Sequence, residues 1–442
     1  MWVNIHSDAS GRTLLAWYGL QVIPCPVMLC AYRNLPPSIQ SALQYSGGVA
    51  ITSEERREGR YRRRIEARRA KKETVYCDAD RFETVFSYSH LYRSYRKCRL
   101  GVSWKASTQR YIAKAPLHVY HTLRQLQNGT FRSRGFSEFD IMERGKRRHI
   151  QSVDIYERVV QRCLCDYALV PLLRRTFIYD NGASMKGKGY SFAVNRLCRH
   201  LRRHYRKYGQ EGYILLFDFS KFFENVRHEI IKRLLRKEIS DTRIRELTEY
   251  FLDCFGDIGL GLGSQISQVL ALASANKLDH YIKEVLWVEC YGRYMDDGYL
   301  IHPSKDFLQK SLRAIEAICV QLGIKLNRRK TQIVKLSHGF TYLKVRFYLT
   351  ARGKVVRKLG KGNVVRMRRK LKALRRMVDF GILTEDNVYD AFQSWRAHAS
   401  HFHAYRTIQN MEGLWNKLGF RKNLKSTGGD IRGRRIYFSS GA

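Results

Sequence analysis

The sequence predicts an α+β fold, and three observations predict it. An aromatic-rich apolar run over residues 213–217 ends in Asp218 and reads as a buried strand. Apolar stretches at residues 288–291 and 299–301 flank Tyr294-Met295-Asp296-Asp297 and read as strand, tight turn, strand, with Gly292 and Gly298 bracketing the tip. Helical patterns lie on both sides of these strands, over residues 82–127 and from Val355 onward.

The elements follow in order. Residues 14–32 are apolar but broken by Gly19, Gln21, Pro24 and Pro26, and only Arg12 precedes them as a positive charge. A signal peptide or a membrane span needs an unbroken apolar core, so no membrane partner is expected. Residues 54–73 carry ten Arg and Lys side chains, Arg62, Arg63 and Arg64 among them, and have no apolar stripe. They form either a solvated helix or an RNA-binding arm, and the excess of arginine over glutamate favours the arm. Residues 82–127 alternate helical stretches with Tyr92, Tyr95, Lys97, Trp104 and Lys105, a surface suited to nucleic acid. A helical pattern at residues 228–239 follows Asp218.

Residues 355–380 read as one amphipathic helix. Val364, Val365, Met367, Leu371, Leu374 and Val378 lie near helical spacing, and Arg366, Arg368, Arg369, Lys370, Lys372, Arg375 and Arg376 cover the rest. Two further helices are expected at residues 385–398 and 405–418, before a polar, Gly-rich tail. His398, His401 and His403 have no cysteine or acidic cluster after them, so they read as core or RNA-facing residues rather than metal ligands.

Composition sets the partner class. Lys+Arg 81 against Asp+Glu 39 gives a net charge of +42 on 442 residues. That excess attracts polyanions and makes their binding strongly salt-dependent. A hydrophobic content of 44% supports a large core, and 27 tyrosines offer stacking surfaces for single-stranded bases. Ten cysteines show no C-x-x-C spacing, which points away from a zinc or redox motif and toward a reducing cytoplasm.

Asp296 and Asp297 are the chemical focus. Two like charges held at a hairpin tip are costly unless a cation neutralises them. Asp218, at the end of a buried strand, is equally expensive alone. Hard oxygen ligands select Mg²⁺, with Mn²⁺ as the alternative. Three carboxylates on two adjacent strands can hold two cations about 3.5–4 Å apart, the arrangement that clamps both oxygens of a phosphoryl transfer.

An aspartate, an interval of roughly 80 residues, then Tyr-Met-Asp-Asp resembles the palm of reverse transcriptases. The resemblance runs from about residue 80 to 425. It implies a right-hand polymerase with a ferredoxin-like palm and a helical thumb. The implied regions are an N-terminal extension with a basic arm (1–75), fingers (76–210), palm (211–348), thumb (349–425) and a flexible tail (426–442). It implies two metal ions on Asp218, Asp296, Asp297 and the Phe219 carbonyl. Phe223 falls at the aromatic gate beneath the incoming sugar. The run Gly259 to Gln268, including Leu262, Gly263 and Gln268, matches the segment beside the nucleotide and template base. Leu322 to Thr331 matches the next palm element and makes Lys330 a candidate proton donor to pyrophosphate. Phe340-Thr341-Tyr342-Leu343 resembles the primer-grip hairpin, with Lys344 where bacterial relatives have glycine, which puts the turn geometry in question. Glu143 to Ile150 resembles the basic fingers hairpin, with Arg148 as its nucleotide-contacting arginine. Ser184 to Gly189 resembles a Lys-Gly-Arg-Gly turn, with Lys186 and Lys188 as its cations.

One departure narrows the resemblance. Gly261-Leu262-Gly263 stands where most reverse transcriptases have Pro-Gln-Gly, and Ser267-Gln268 where Ser-Pro is usual. This resembles diversity-generating retroelement enzymes, in which the missing glutamine accompanies poor fidelity. Defence-associated and unclassified bacterial enzymes share the pattern. The implied activity is RNA-directed DNA synthesis, in the service of diversity generation, of phage defence with a non-coding RNA, or of another retroelement role; the alternative of another class is a maturase-like binder of structured RNA. The implied partners are an RNA template, itself a dedicated structured RNA, a DNA or RNA primer, dNTPs, and an accessory protein or a second copy of the chain.

Overall fold

The computed structural model describes residues 75–143 and 145–421, together with residues 6–7, 13–14, 63, 66 and 73. The chain divides into two units, Met1–Lys71 and Lys72–Ala442. In the first, β1 (His6–Ser7) pairs antiparallel with β2 (Thr13–Leu14), and Arg63 is an exposed helical residue. Arg62, Arg64 and the other arginines and lysines of the basic arm lie outside the described residues, as does the Gly-rich tail.

After helical residues 75–79, the second unit has the helices Phe82–Val85, Tyr88–Cys98, Ala106–Ala113 and Ala115–Gln127, in the stretch the sequence predicts as helical. A long antiparallel hairpin follows, β3 (Phe136–Glu143) with β4 (Lys146–Val153).

The central sheet has four strands: β5 (Tyr213–Asp218), β6 (Tyr291–Tyr294), β7 (Asp297–His302) and β8 (Gln332–Lys335). Their order is β6-β7-β5-β8, and every pair is antiparallel. Helices separate β5 from β6 and β7 from β8, which gives the ferredoxin-like connectivity. Strand β5 explains its own sequence. Leu215 and Phe217 enter one hydrophobic core, while Ile214 and Leu216 enter another on the opposite face. A central strand covered on both faces needs a continuous apolar run.

Two glycines do a different job from the one expected. Gly292 and Gly298 lie inside β6 and β7 and do not form the turn. A Cβ on Gly298 would enter the Phe217 ring, and one on Gly292 would meet the Tyr299 hydroxyl at 2.7 Å. The absent side chains let these aromatics lie across the hairpin. The turn itself is made by Met295 at φ 53.

A second sheet packs β9 (Phe340–Tyr342), β10 (Val345–Leu349) and β11 (Val355–Leu359) in the order β11-β10-β9. Leu343 and Lys344 form the β9–β10 turn with φ of 47 and 64. Both central residues are therefore left-handed, the geometry of a tight two-residue hairpin turn, although neither is glycine. Strand β11 corrects the expectation of one helix over residues 355–380. Val355 to Leu359 pair with β10, and the helix starts only after Gly360, at Lys361–Asp379. Two adjacent β-branched residues and a following glycine favour a strand that then stops.

A three-helix bundle, where the sequence places the expected thumb, completes the unit with the helices Lys361–Asp379, Glu385–Ser400 and Tyr405–Lys417. Met367, Leu371, Phe392, Trp395, Met411 and Trp415 fill their shared core. The Trp415 ring stacks on Phe392 at 5.1 Å and on Phe420 at 4.2 Å. His403 ties this bundle to β11: the Arg357 amide donates to its Nδ1 at 3.1 Å, and its own amide donates to the Arg357 carbonyl at 2.8 Å.

Candidate active site

Strand β5 ends at Asp218, which is 4% exposed. The register places Asp297 of β7 directly opposite it. Asp296 sits at the tip beside them, held by a 3.1 Å bond from the Phe219 amide to its carbonyl. Thus Asp218 and the adjacent pair Asp296 and Asp297, far from it in sequence, come to one end of the central strand pair.

Their environment opposes their charge. Burial, then the charges of Asp296 and Asp218, push the Asp297 carboxyl up to about 7. Burial and the Asp218 charge also raise Asp296. The Lys330 ammonium donates to both oxygens of Asp218, at 2.9 and 2.8 Å. Burial disfavours that ammonium, but its Asp218 bonds and the nearby acids hold its pKa above the ordinary lysine value. Asn327 braces the same carboxylate at 3.2 Å and donates its amide to the Asp218 carbonyl at 2.7 Å.

Among the described residues no group of three or more His, Cys, Asp or Glu side chains is arranged as it stands to hold a metal ion. The donor chemistry nevertheless fits a hard divalent cation. Asp218, Asp296 and Asp297 offer only oxygen, and two of them are held as reluctant acids whose missing counter-charge a cation would supply.

Phe223 is partly buried, and its carbonyl accepts from the Leu260 amide at 2.7 Å, which ties the gate candidate to the Gly259–Gly263 segment. The Leu262 carbonyl accepts from the Gln151 amide at 3.0 Å, which docks that segment on β4. Gly263, Gln268, Ser184 and Arg162 line one cleft of about 380 Å³. The Ser184 hydroxyl lies 3.2 Å from Gln268 Oε1 and closes one side of it.

Six cations differ in how they are held. Arg148 is exposed on β4 and pairs with Glu143 at 2.7 Å. Lys186 is exposed on its turn. Lys188 instead turns inward, donating to the carbonyls of Tyr179 at 2.7 Å and Asn181 at 3.1 Å, and burial lowers its pKa. Arg368 and Arg369 are exposed on the thumb helix. Arg375 departs from its expected role facing nucleic acid. It donates to Asp379 at 2.6 Å, to the Gly419 carbonyl at 3.2 Å and to Glu385 at 3.4 Å, and lies over the Phe420 ring. It clamps the thumb helices together.

Residues 138–347 match the family described as reverse transcriptase (RNA-dependent DNA polymerase). They form a reverse transcriptase domain. It runs from the β3–β4 hairpin through the carboxylate site to β10. Solved structures similar to the chain include three Candida telomerases. Apo telomerase from Candida tropicalis truncated from its C-terminal domain matches with TM-score 0.40 and 13% identity, over 50% of this chain and 55% of that one. Telomerase from Candida albicans in complex with a TWJ fragment of telomeric RNA matches with TM-score 0.40 and 12% identity, over 64% and 54%. Apo telomerase from Candida tropicalis matches with TM-score 0.40 and 14% identity, over 67% and 65%. This chain thus spans about half to two thirds of the length of those telomerases. Comparison with curated proteins gives no match.

Sequence reasoning missed one residue of this reverse transcriptase domain. Arg293, in β6, is 1% exposed and is paired with the equally buried Asp279. An arginine two residues before the tip, in a strand otherwise covered by core, was the available signal.

Proposed function

We propose that the chain is an RNA-directed DNA polymerase that extends a DNA or RNA primer along an RNA template. The observation that supports this best is the pairing of Asp218 with Asp297, with Asp296 beside them, inside a reverse transcriptase domain. Asp218, Asp296, Asp297 and the Phe219 carbonyl would hold two Mg²⁺ ions, or Mn²⁺ in their place. When bound, such a pair lowers the pKa of the primer 3′-hydroxyl and balances charge on the transferring phosphoryl group. The protein's own groups do the rest. Lys330 gives a proton to the departing pyrophosphate once its ammonium leaves Asp218. Arg148, Lys186 and Lys188 offset triphosphate charge, Lys188 after exchanging its carbonyl partners for phosphate. Phe223 crowds a ribose 2′-hydroxyl and so favours dNTPs. Lys344, Arg368 and Arg369 contact the primer–template backbone, and the arm around Arg62, Arg63 and Arg64 contacts RNA.

Primer extension on an RNA template with Mg²⁺ tests this reading. Asp296→Asn and Asp297→Asn should each leave under about 1% of wild-type incorporation, because removing one ligand of a two-ion site removes the charge balance at the reacting oxygens. Synthesis well above that level sinks the assignment.

The finer reading is error-prone copying within a diversity-generating retroelement, acting in the cytoplasm on a dedicated structured RNA, with an accessory protein or a second copy of the chain. Leu262 favours it, because an aliphatic side chain stands beside the expected nascent pair. Defence against phage with a non-coding RNA, and a maturase-like role, are the rival readings. A template and variable repeat pair beside the gene would support the first, and a lone structured RNA gene would support the second.

A further inference from the structure

The geometry points to Arg293 as a positioning residue that fixes the Tyr294–Asp297 tip against the segment that receives the nucleotide. This inference rests on the polymerase reading and adds a residue to it.

Arg293 contacts four separate parts of the domain. Its Nε donates to Asp279 Oδ1 at 2.8 Å and one terminal nitrogen donates to Asp279 Oδ2 at 2.6 Å. That same terminal nitrogen reaches the Leu272 carbonyl at 3.2 Å, in the helix Gln265–Ser274 that carries Gln268. The other donates to the Met295 carbonyl at 2.8 Å. Its backbone joins a fourth part: the Arg293 amide donates to the Asp180 carbonyl at 3.2 Å, and its carbonyl accepts from the Gly182 amide at 2.9 Å. Asn181, between those two, accepts from Lys188 on its carbonyl.

Each contact bears on placement. Met295 is the left-handed turn residue next to Asp296, so the bond to its carbonyl holds an unfavourable backbone conformation at the tip. The bond to Leu272 refers that tip to the helix that begins just after Leu262 and Gly263. The Asp279 carboxylate, which also accepts from the Tyr291 hydroxyl at 2.5 Å, locks the guanidinium plane. A planar fork with five donors can serve all of these acceptors together, and a lysine ammonium cannot. Core packing needs no cation here. An arginine that joins the catalytic tip to the nucleotide segment has a geometric purpose.

Two variants test it, each read by steady-state kinetics, by Mn²⁺ binding in electron paramagnetic resonance, and by thermal melting. Arg293→Lys keeps the charge and loses the fork. Arg293→Met combined with Asp279→Asn removes both charges, while the amide oxygen still accepts from Tyr291, so no lone buried charge is left to unfold the domain. Both folded proteins should lose about 10–100-fold in kcat, the scale of a misplacement of about 1 Å at a reacting centre. KM for dNTP should change less than about threefold, because ground-state binding is not what is removed. Mn²⁺ binding should weaken as well. A folded double variant with wild-type kcat and Mn²⁺ affinity overturns the proposal, as does a loss no larger than the unfolded fraction. If the wild-type chain synthesises nothing, the polymerase reading fails, and unchanged Mn²⁺ affinity in the variants then decides against Arg293 separately.

Discussion

Lys330 and Asp218 form a two-bond ion pair, with the ammonium 2.9 and 2.8 Å from the two carboxylate oxygens. The carboxylate is almost buried, while the lysine side chain is 55% exposed. Lys330 therefore reaches in from solvent and covers the first of the three acids. A divalent ion on Asp218 competes with that ammonium for the same oxygens.

Lys330→Ala should separate two roles. The metal-free protein should melt at lower temperature, by the equivalent of about 1 kcal/mol or less, because a half-exposed lysine is screened by water. Mn²⁺ should bind more tightly, because a competing cation is gone. Nucleotide incorporation should nevertheless slow, through loss of the proton donor to pyrophosphate. A thermal melt of the metal-free variant checks the first effect, and titration calorimetry with Mn²⁺ checks the second. Weaker metal binding in the variant refutes the competition.

Asp297 sets a pH signature for the metal-free protein. Its carboxyl titrates at about 7 in the folded chain because burial and the neighbouring acids oppose its charge. In the unfolded chain an aspartate titrates near about 3.9. Between those values the folded state holds the extra proton, so this group's contribution to stability falls as pH rises through the window and stays low above it. Asp297→Asn should therefore raise the melting temperature of chelator-treated protein at pH 8 and leave it nearly unchanged at pH 4. An equal difference at both pH values contradicts the assignment.

The order of acids along the chain was legible because the chemistry constrains it. An apolar strand ending in Asp218, followed by a hairpin bearing Asp296 and Asp297, leaves few arrangements other than adjacent strands, and the register puts Asp218 opposite Asp297. Helical periodicity gave the last two thumb helices to within two residues at each end. Local pattern failed where the partner lies far away. Val355 to Leu359 look helical until β10 is present to pair with them. Gly292 and Gly298 look like turn residues until Tyr299 and Phe217 lie over them. Arg375 looks like its exposed neighbours, yet Glu385 and Gly419 pull it inward. Arg293 gave no periodic signal, since its purpose lies in three carbonyl and carboxylate partners from separate segments.

Phe223→Ala should admit ribonucleotides. The ring is partly buried, packs edge-on against Phe222 at 5.9 Å, and belongs to a short turn bonded to Leu260. Truncation removes the bulk that a 2′-hydroxyl would meet, while the backbone bond to Leu260 remains. Single-nucleotide extension with dNTP and NTP should show discrimination falling by about one to two powers of ten, the range of a few kcal/mol of steric selectivity. Unchanged selectivity, with folding intact, would make Phe223 a core residue only.

Leu262→Gln should raise copying fidelity. The Leu262 carbonyl is fixed to Gln151 of β4, so the backbone of this segment is held from the fingers side whatever the side chain. The substitution therefore leaves that scaffold in place and, on the proposed polymerase reading, changes what faces the nascent pair. An aliphatic group there cannot hydrogen-bond, so a mispair loses nothing by being mis-shaped at that contact. One polar contact made only to a correct pair is worth about tenfold in discrimination for each 1.4 kcal/mol. Sequencing cDNA made by both proteins on one template measures the effect. Errors should fall in the variant, most of all opposite template adenine if the chain serves diversity generation. A wild type already accurate at adenine, or identical error spectra, would remove the reason for preferring diversity generation and leave phage defence as the better reading of the same active site.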